Sequence, residues 1–296
     1  MSVGFRCATE SRHRGDPLAG SASTVRRFLL LEVPGPWGRD ALRDSRLTAP
    51  VGEELARRCR AARVRPLLVR RHGRSAPRRT TVFAAVADPR RPWLGQAYVD
   101  GPAAVLDLPL DRLEERPAPF TAAKGPLFCV CTHGRHDACC AERGRPIAAA
   151  MHAAFPEETW EVSHVGGDRF AGNLLVLPDG LCYGRLDPEA AVAVARGHRA
   201  GRLDLDHLRG RSGYPFAAQA AETFLRRHTG LLGKDDGRLL SCAREAELIT
   251  TTLELAGRRW RVRVRQQASE AQQLTCRAAR TSPVLSHGLV DIEPVD

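Results

Sequence analysis

Lysine, aromatic residues and long apolar stretches are all scarce in this chain. Only Lys124 and Lys234 are lysines, so almost all of the 45 basic side chains are Arg. Phe, Trp and Tyr together make up 5% of the 296 residues. No apolar run approaches the roughly 18–20 residues that a membrane-spanning helix needs, so none is expected. The opening stretch MSVGFRCATESRHRGDPLAGSAS is polar and lacks the apolar segment of a secretory signal. Residues 1–22 therefore read as a loosely ordered tail, and the expected location is cytoplasmic. Catalytic signatures are missing too: there is no P-loop, GxGxxG fingerprint, HExxH, GxSxG elbow or CxxC pair. Independent catalysis is not expected.

The formal net charge is +11, which invites a nucleic-acid reading. The arginines are scattered, however, and few aromatics are interleaved for base stacking. Arg-for-Lys usage alongside abundant Ala, Gly and Pro is also what a GC-rich genome imposes on any protein. No nucleic-acid partner is expected, and an acidic redox partner protein is the better use of the charge.

What the chain does have is cysteine in one place. Its nine cysteines are Cys7, Cys59, Cys129, Cys131, Cys139, Cys140, Cys182, Cys242 and Cys276, and four of them fall between 129 and 140. In a reducing compartment such a cluster points to metal or redox chemistry rather than to disulfides. A [2Fe–2S] cluster needs four ligands, usually thiolates, with imidazole as the known replacement. The eight residues between Cys131 and Cys140 are enough to curl around a cluster and bring both sulfurs to one iron. His164-Val-Gly-Gly-Asp168 is the second element, its glycines permitting positive φ and close approach to a bulky inorganic group. Strands ending at Cys131 and near His164, if neighbours, would project both residues from one sheet edge.

Blander roles are assigned to the rest. Cys139 reads as a small buried hydrophobe beside Cys140, and Cys129 as a core residue sharing a face with Cys131. Cys7, Cys59, Cys182 and Cys242 read as inert, and Pro34 to Trp37 as a structural turn. His133 and His136 are potential ligands in another geometry but read as caps of the cysteine loop. A structural zinc site on the same residues and a thiol-redox site are the rival functions. Spacings unlike CxxC weigh against both.

Periodicity gives an α/β fold class. Strands are expected at 26–33, 65–71, 80–87, 94–99 and 103–108, with a helix near 50–62. The stretch 109–126, with Pro117, Pro119 and Pro126, is a boundary. It separates an N-terminal α/β portion, 23–115, from a cluster-bearing domain, 116–285, unless the first half wraps the second. In that second part, strands are expected at 127–131, 159–164, 172–177 and 181–186, with helices at 144–155, 187–199 and 215–228. A hairpin joins 248–255 to 258–265 through Ala256-Gly257. The order from 127 to 199 suits a thioredoxin-like sandwich.

The segments Cys-Thr-His-Gly-Arg-His-Asp-Ala-Cys-Cys (131–140) and Ser-His-Val-Gly-Gly-Asp-Arg-Phe-Ala-Gly-Asn (163–173) resemble the sucrase/ferredoxin-like family. That family includes thioredoxin-like [2Fe–2S] proteins of fungi and many actinobacterial members. Residues 34–42 and 175–185 are similar to its bacterial members. The resemblance implies Cys131 and Cys140 on one iron and His164 on the other. It would put a histidine where this chain has Asp168, and a carboxylate matches a sulfide-bridged cluster poorly. Cys276, in a Leu-Thr-Cys that also resembles the bacterial subgroup, is then the expected fourth ligand. Asp168 is the alternative fourth ligand, and with Cys276 bound it would support His164. The implied activity is electron transfer, at a potential raised by the imidazole relative to an all-cysteine ferredoxin.

Overall fold

The apolar run Phe28-Leu29-Leu30-Leu31 becomes a strand buried on both faces. Phe28 and Leu30 point into one core, Leu29 and Leu31 into another, as the two-residue side-chain period requires. A strand with no wet face reads as an unbroken hydrophobic run, and this one lies deep inside the sheet. The computed structural model describes residues 4–73 and 79–295.

Helix α1 (Cys7–His13) precedes β1 (Arg27–Glu32), followed by the short α2 (Ala41–Asp44) and α3 (Ala49–Ala61). Next come β2 (Arg65–Arg70), β3 (Thr80–Val86), β4 (Trp93–Val99) and the two-residue β5 (Thr121–Ala122). The second half continues with β6 (Leu127–Cys131), α4 (Ala138–Ala154), β7 (Thr159–Val162), β8 (Leu174–Leu177) and β9 (Leu181–Tyr183). Helix α5 (Pro188–Arg199), β10 (Leu208–Arg211) and α6 (Phe216–Thr229) complete the α/β body. Four strands close the chain: β11 (Gly237–Glu245), β12 (Leu248–Leu255), β13 (Arg258–Gln272) and β14 (Ser282–Val295).

The first ten strands form one mixed sheet in the order β10-β9-β8-β6-β7-β2-β1-β3-β4-β5. The expected N-terminal portion and cluster-bearing part therefore share a sheet, joined where β2 pairs antiparallel with β7 through Val69 and Val162. Helix α3 packs Leu55 and Cys59 on one face of the β1 half. Helices α4 and α5 cover the β6–β9 half through Ile147, Met151, Ala191 and Val194. Helix α6 packs instead on the second sheet, β11-β12-β13-β14, against Ile249, Leu253, Val262 and Val264.

Arg258-Arg-Trp-Arg-Val-Arg-Val-Arg265 behaves as its alternation demands, Val262 and Val264 buried and its arginines turned outward or half-buried. The hairpin turn places both Ala256 and Gly257 at positive φ, 49° and 78°, as a two-residue type I′ turn requires.

Three expectations are corrected. The tail 1–22 contains α1, which buries Cys7, Ala8 and Ser11 and packs on the turn Asp168–Phe170. Residues 103–108 lie mostly in a 3-10 turn, Pro102–Asp107, with the proline near its first position. And α4 begins at Ala138 rather than near 144, because Asp137 caps it by accepting the Cys139 N–H at 2.9 Å.

Candidate metal centre

β6 and β7 run parallel, with Cys131 level with Val162. Two residues past that register lies His164, so a thiol and an imidazole leave the same sheet edge. The chain then returns from Cys131 through a six-residue loop into the first turn of α4, which carries Cys140 back toward Cys131. Gly144 permits this close packing: a Cβ there would sit 2.0 Å from the Cys131 carbonyl oxygen. The ligand atoms of Cys131, Cys140 and His164 lie within 4.8 Å of one another.

The His164 loop bends where its glycines allow. Gly166 and Gly167 have φ of 93° and 80°, and a Cβ on Gly167 would meet the Arg209 guanidinium at 2.2 Å. Arg209 is buried and donates to the Gly166 carbonyl and to Asn173 Oδ1, each at 2.9 Å. Arg65 donates to the His164 carbonyl at 2.9 Å. Among the described residues neither arginine has a carboxylate ion-pair partner. The carboxylate whose charge acts on both is Asp168. Burial lowers the pKa of each guanidinium, as expected for cations drawn out of water.

Asp168 sits inside the group. Its Oδ1 accepts from the Cys140 thiol at 3.1 Å and lies 2.9 Å from His164 Nδ1. That ring nitrogen is buried and has no aligned hydrogen bond, the carboxylate being close but out of line. The proximity still governs charge. Burial pushes His164 down, but Asp168 and Cys131 outweigh it, and the imidazole pKa ends raised. Burial likewise pushes Asp168 up, and His164, Cys140 and His136 together bring it below the ordinary carboxylate value. The neighbouring Cys140 thiol brings Cys131 down to about 7, while Cys140 is held well above its ordinary value. One sulfur is thus close to a thiolate at neutral pH, the form that binds metal.

His136 comes from the cysteine loop and stacks on His164, ring centroids 3.9 Å apart. With His164 and Asp168 it forms a second group of ligand atoms within 4.8 Å. Its ring is about two-fifths exposed, and burial keeps its pKa lowered. His133 stacks beyond it at 5.5 Å, and its Nε2 contacts the Gly38 carbonyl at 2.9 Å. The segment 34–38 therefore does more than reverse the chain. Trp37 is buried edge-on to His133, with Arg70 over its face at 4.3 Å, so it closes one side of the cysteine loop.

Of the residues singled out in the sequence, Cys131, Cys140, His164 and Asp168 converge. Cys276 does not join them. Its sulfur lies 3.4 Å from Cys139 and 3.6 Å from Cys7, in a separate group with Asp137. The reason is helical geometry: Cys139 and Cys140 are adjacent in α4, about 100° apart around its axis, so they face different clusters. His136 was visible in the sequence but read as a cap. Arg65 and Arg209 left no signal, since nothing in sequence spacing marks which arginines will be buried.

No curated protein and no solved structure matches the chain. A family model described as Sucrase/ferredoxin-like does match, over residues 18–210. That span covers Cys131, the cysteine loop, Cys140 and the His164 loop, and it amounts to more than half of the sequence. The chain belongs to the sucrase/ferredoxin-like family.

Proposed function

We propose that this protein binds a [2Fe–2S] cluster and acts as a one-electron carrier, with Cys131 and Cys140 on one iron and His164 and His136 on the other. The observation that carries the reading is the meeting of two thiols and a mostly buried imidazole within 4.8 Å at one sheet edge. The donor chemistry fits: thiolate and imidazole are the ligands such clusters take. The charge environment fits as well. Among the described residues Arg65 and Arg209 are cations without carboxylate ion-pair partners beside the site, and the negative charge that a cluster with two thiolates and two neutral imidazoles would gain on reduction would compensate them. The strand order β7-β6-β8-β9, with α4 crossing between β6 and β7, supports a thioredoxin-like reading of this part.

When bound, the group would supply a one-electron couple whose potential imidazole ligation raises above that of an all-cysteine site. The chain's own residues do the rest. Cys131, Cys140 and the Gly166-Gly167 bend fix the donors. Arg65 and Arg209 brace the loop and favour the more negative, reduced charge state. Trp37 shields one flank, and the part-exposed His136 edge offers the short path to a partner. His136 is preferred to Asp168 as fourth ligand because imidazole suits a sulfide-bridged iron better than a carboxylate. Asp168 already contacts Cys140 and His164.

Anaerobic purification with iron and sulfide assays tests this. About two of each per chain, with a rhombic EPR signal on reduction that Cys131→Ser and Cys140→Ser abolish, is the expected result. A span of 4.8 Å also suits a single ion, so sulfide is the deciding measurement. One zinc at this site without sulfide would establish the structural zinc reading instead. Metal-free protein with reactive thiols would establish the thiol-redox one.

A further inference from the structure

The second cysteine group has no role in that site, and three distant segments build it. Cys7 comes from α1, Asp137 and Cys139 from the start of α4, and Cys276 from the loop between β13 and β14. Cys7 and Asp137 have no exposed surface and Cys139 almost none. The Sγ–Sγ distances are 3.4 Å for Cys139–Cys276 and 3.6 Å for Cys7–Cys276. Cys7 Sγ stands 3.6 Å from both Asp137 carboxylate oxygens.

These edges have the dimensions of one tetrahedral ion. With Zn–S near 2.3 Å and Zn–O near 2.0 Å, a regular tetrahedron has S–S edges of about 3.8 Å and S–O edges of about 3.5 Å. Asp137 adds an independent sign. It is a fully buried carboxylate, and among the described residues no cationic side chain pairs with it. Its oxygens accept only the Cys139 and Cys276 amide N–H groups, at 2.9 and 2.7 Å, besides the Cys7 contact. A buried carboxylate held by two amides and a thiol contact, beside three sulfurs, has no cationic partner among the described residues.

We propose that Cys7, Cys139 and Cys276, with a carboxylate oxygen of Asp137, bind one zinc ion in a closed structural site distinct from the candidate iron site. Zn2+ enters as the three thiols release their protons to solvent. The ion ties α1 and the β13–β14 loop to the N-terminus of α4, the helix that presents Cys140 on its other side. A soft, thiolate-rich tetrahedral set selects zinc over magnesium or calcium. Cys7 and Cys276 both lie outside the stretch 18–210 that the family model matches, so the site depends on this chain's two ends.

Zinc and iron are quantified on full-length protein purified anaerobically. The expected result is one zinc per chain in addition to any iron. Cys7→Ser and Cys276→Ser should each lose the zinc and keep the visible absorption, whereas Cys131→Ser should lose iron and keep zinc. A second measurement covers variants that fail to fold: Co2+ titrated into metal-free Cys131→Ser/Cys140→Ser protein should give thiolate-to-cobalt charge-transfer bands at one equivalent. Absence of both zinc and those bands overturns the proposal. A Cys139–Cys276 disulfide in the anaerobic protein, seen as a mass lower by two hydrogen atoms, overturns it as well. So does a Cys276→Ser variant that loses iron while keeping zinc, since Cys276 would then belong to the iron site. Iron-free wild type that still holds one zinc, lost in Cys276→Ser, would sink the electron-carrier reading and leave this site standing.

Discussion

At the scale of single residues, the sharpest question is which group completes the donor set beside Cys131, Cys140 and His164. His136 stacks on His164 at 3.9 Å, while Asp168 stands 2.9 Å from His164 Nδ1 and 3.1 Å from Cys140. If His136 is a ligand, His136→Ala should strip most of the iron and sulfide. Asp168→Asn should retain them and lower metal affinity by about 10–100-fold, the usual effect of losing a group that supports a ligand. Cluster loss in Asp168→Asn alone, with His136→Ala intact by iron, sulfide and EPR, would reverse the two roles. Gly144 tests the packing behind the thiols. Gly144→Ala must push α4 off the Cys131 carbonyl, 2.0 Å from the added carbon. A cost of about 1–3 kcal/mol is expected from overpacking, read as a lower urea midpoint together with weaker cluster retention.

At the scale of elements, β10 and α6 are joined by a buried ion triad. Glu222 accepts from Arg211 at 3.1 Å and from Arg226 at 3.0 Å, and all three side chains are buried. Burial pushes the Glu222 carboxyl up, but the two guanidiniums outweigh it and its pKa is lowered from 4.5. A carboxylate depressed on folding contributes stability above its unfolded pKa and loses it as pH falls through the folded value. Glu222→Gln should therefore cost about 3–5 kcal/mol at neutral pH, since it leaves two buried cations short of a counter-charge. As pH falls below the ordinary value of 4.5 and through the lowered native one, the difference from wild type should shrink, as denaturant melts at stepped pH would reveal. A gap independent of pH would mean that packing, not charge, holds α6.

The elements the sequence revealed are those with a strict period and a clean end. β1, β3 and β6 are doubly buried runs, and α3, α5 and α6 carry apolar stripes. β11 and β14 escaped because most of their residues are exposed or half-buried, so alternation between apolar and polar is weak. Residues 103–108 misled because Val105 and Leu108 are buried by a 3-10 turn rather than by a strand. The same contrast holds at the site. Cys131, Cys140 and His164 were legible because a short loop and two parallel strands bring them together locally. Cys276 lies instead with Cys7 and Cys139, because its place depends on how β13 and β14 close the chain, over a hundred residues away, which no spacing encodes.

At the scale of the whole molecule, the charge becomes an argument about encounter. The depression over His133, His136 and His164 is lined by residues 39–44, Arg65 and Pro66. Arg39 and Arg43 are exposed there and, among the described residues, form no ion pairs. The two acids of that segment are exposed as well, though each is tied to backbone: Asp44 accepts from the Arg39 and Asp40 amides at 2.8 Å, and Asp40 caps α2. Arg39 and Arg43 therefore balance those two acids, and Arg65 leaves the lining positive by one charge on a chain of net charge +11. If the site carries electrons as proposed, the net positive charge of the chain favours an acidic partner by raising the encounter rate, an effect that salt screens over about 8 Å at physiological ionic strength. The second-order rate of electron transfer from an acidic donor should therefore fall steeply as salt is raised. Arg39→Glu/Arg43→Glu should slow it by about tenfold or more at low salt while leaving visible absorption and EPR unchanged. Stopped-flow traces at a series of ionic strengths would show both effects. If the double variant kept the wild-type rate and its salt dependence, electrons would have to leave by another face, and the His136 edge would lose its claim as the exit.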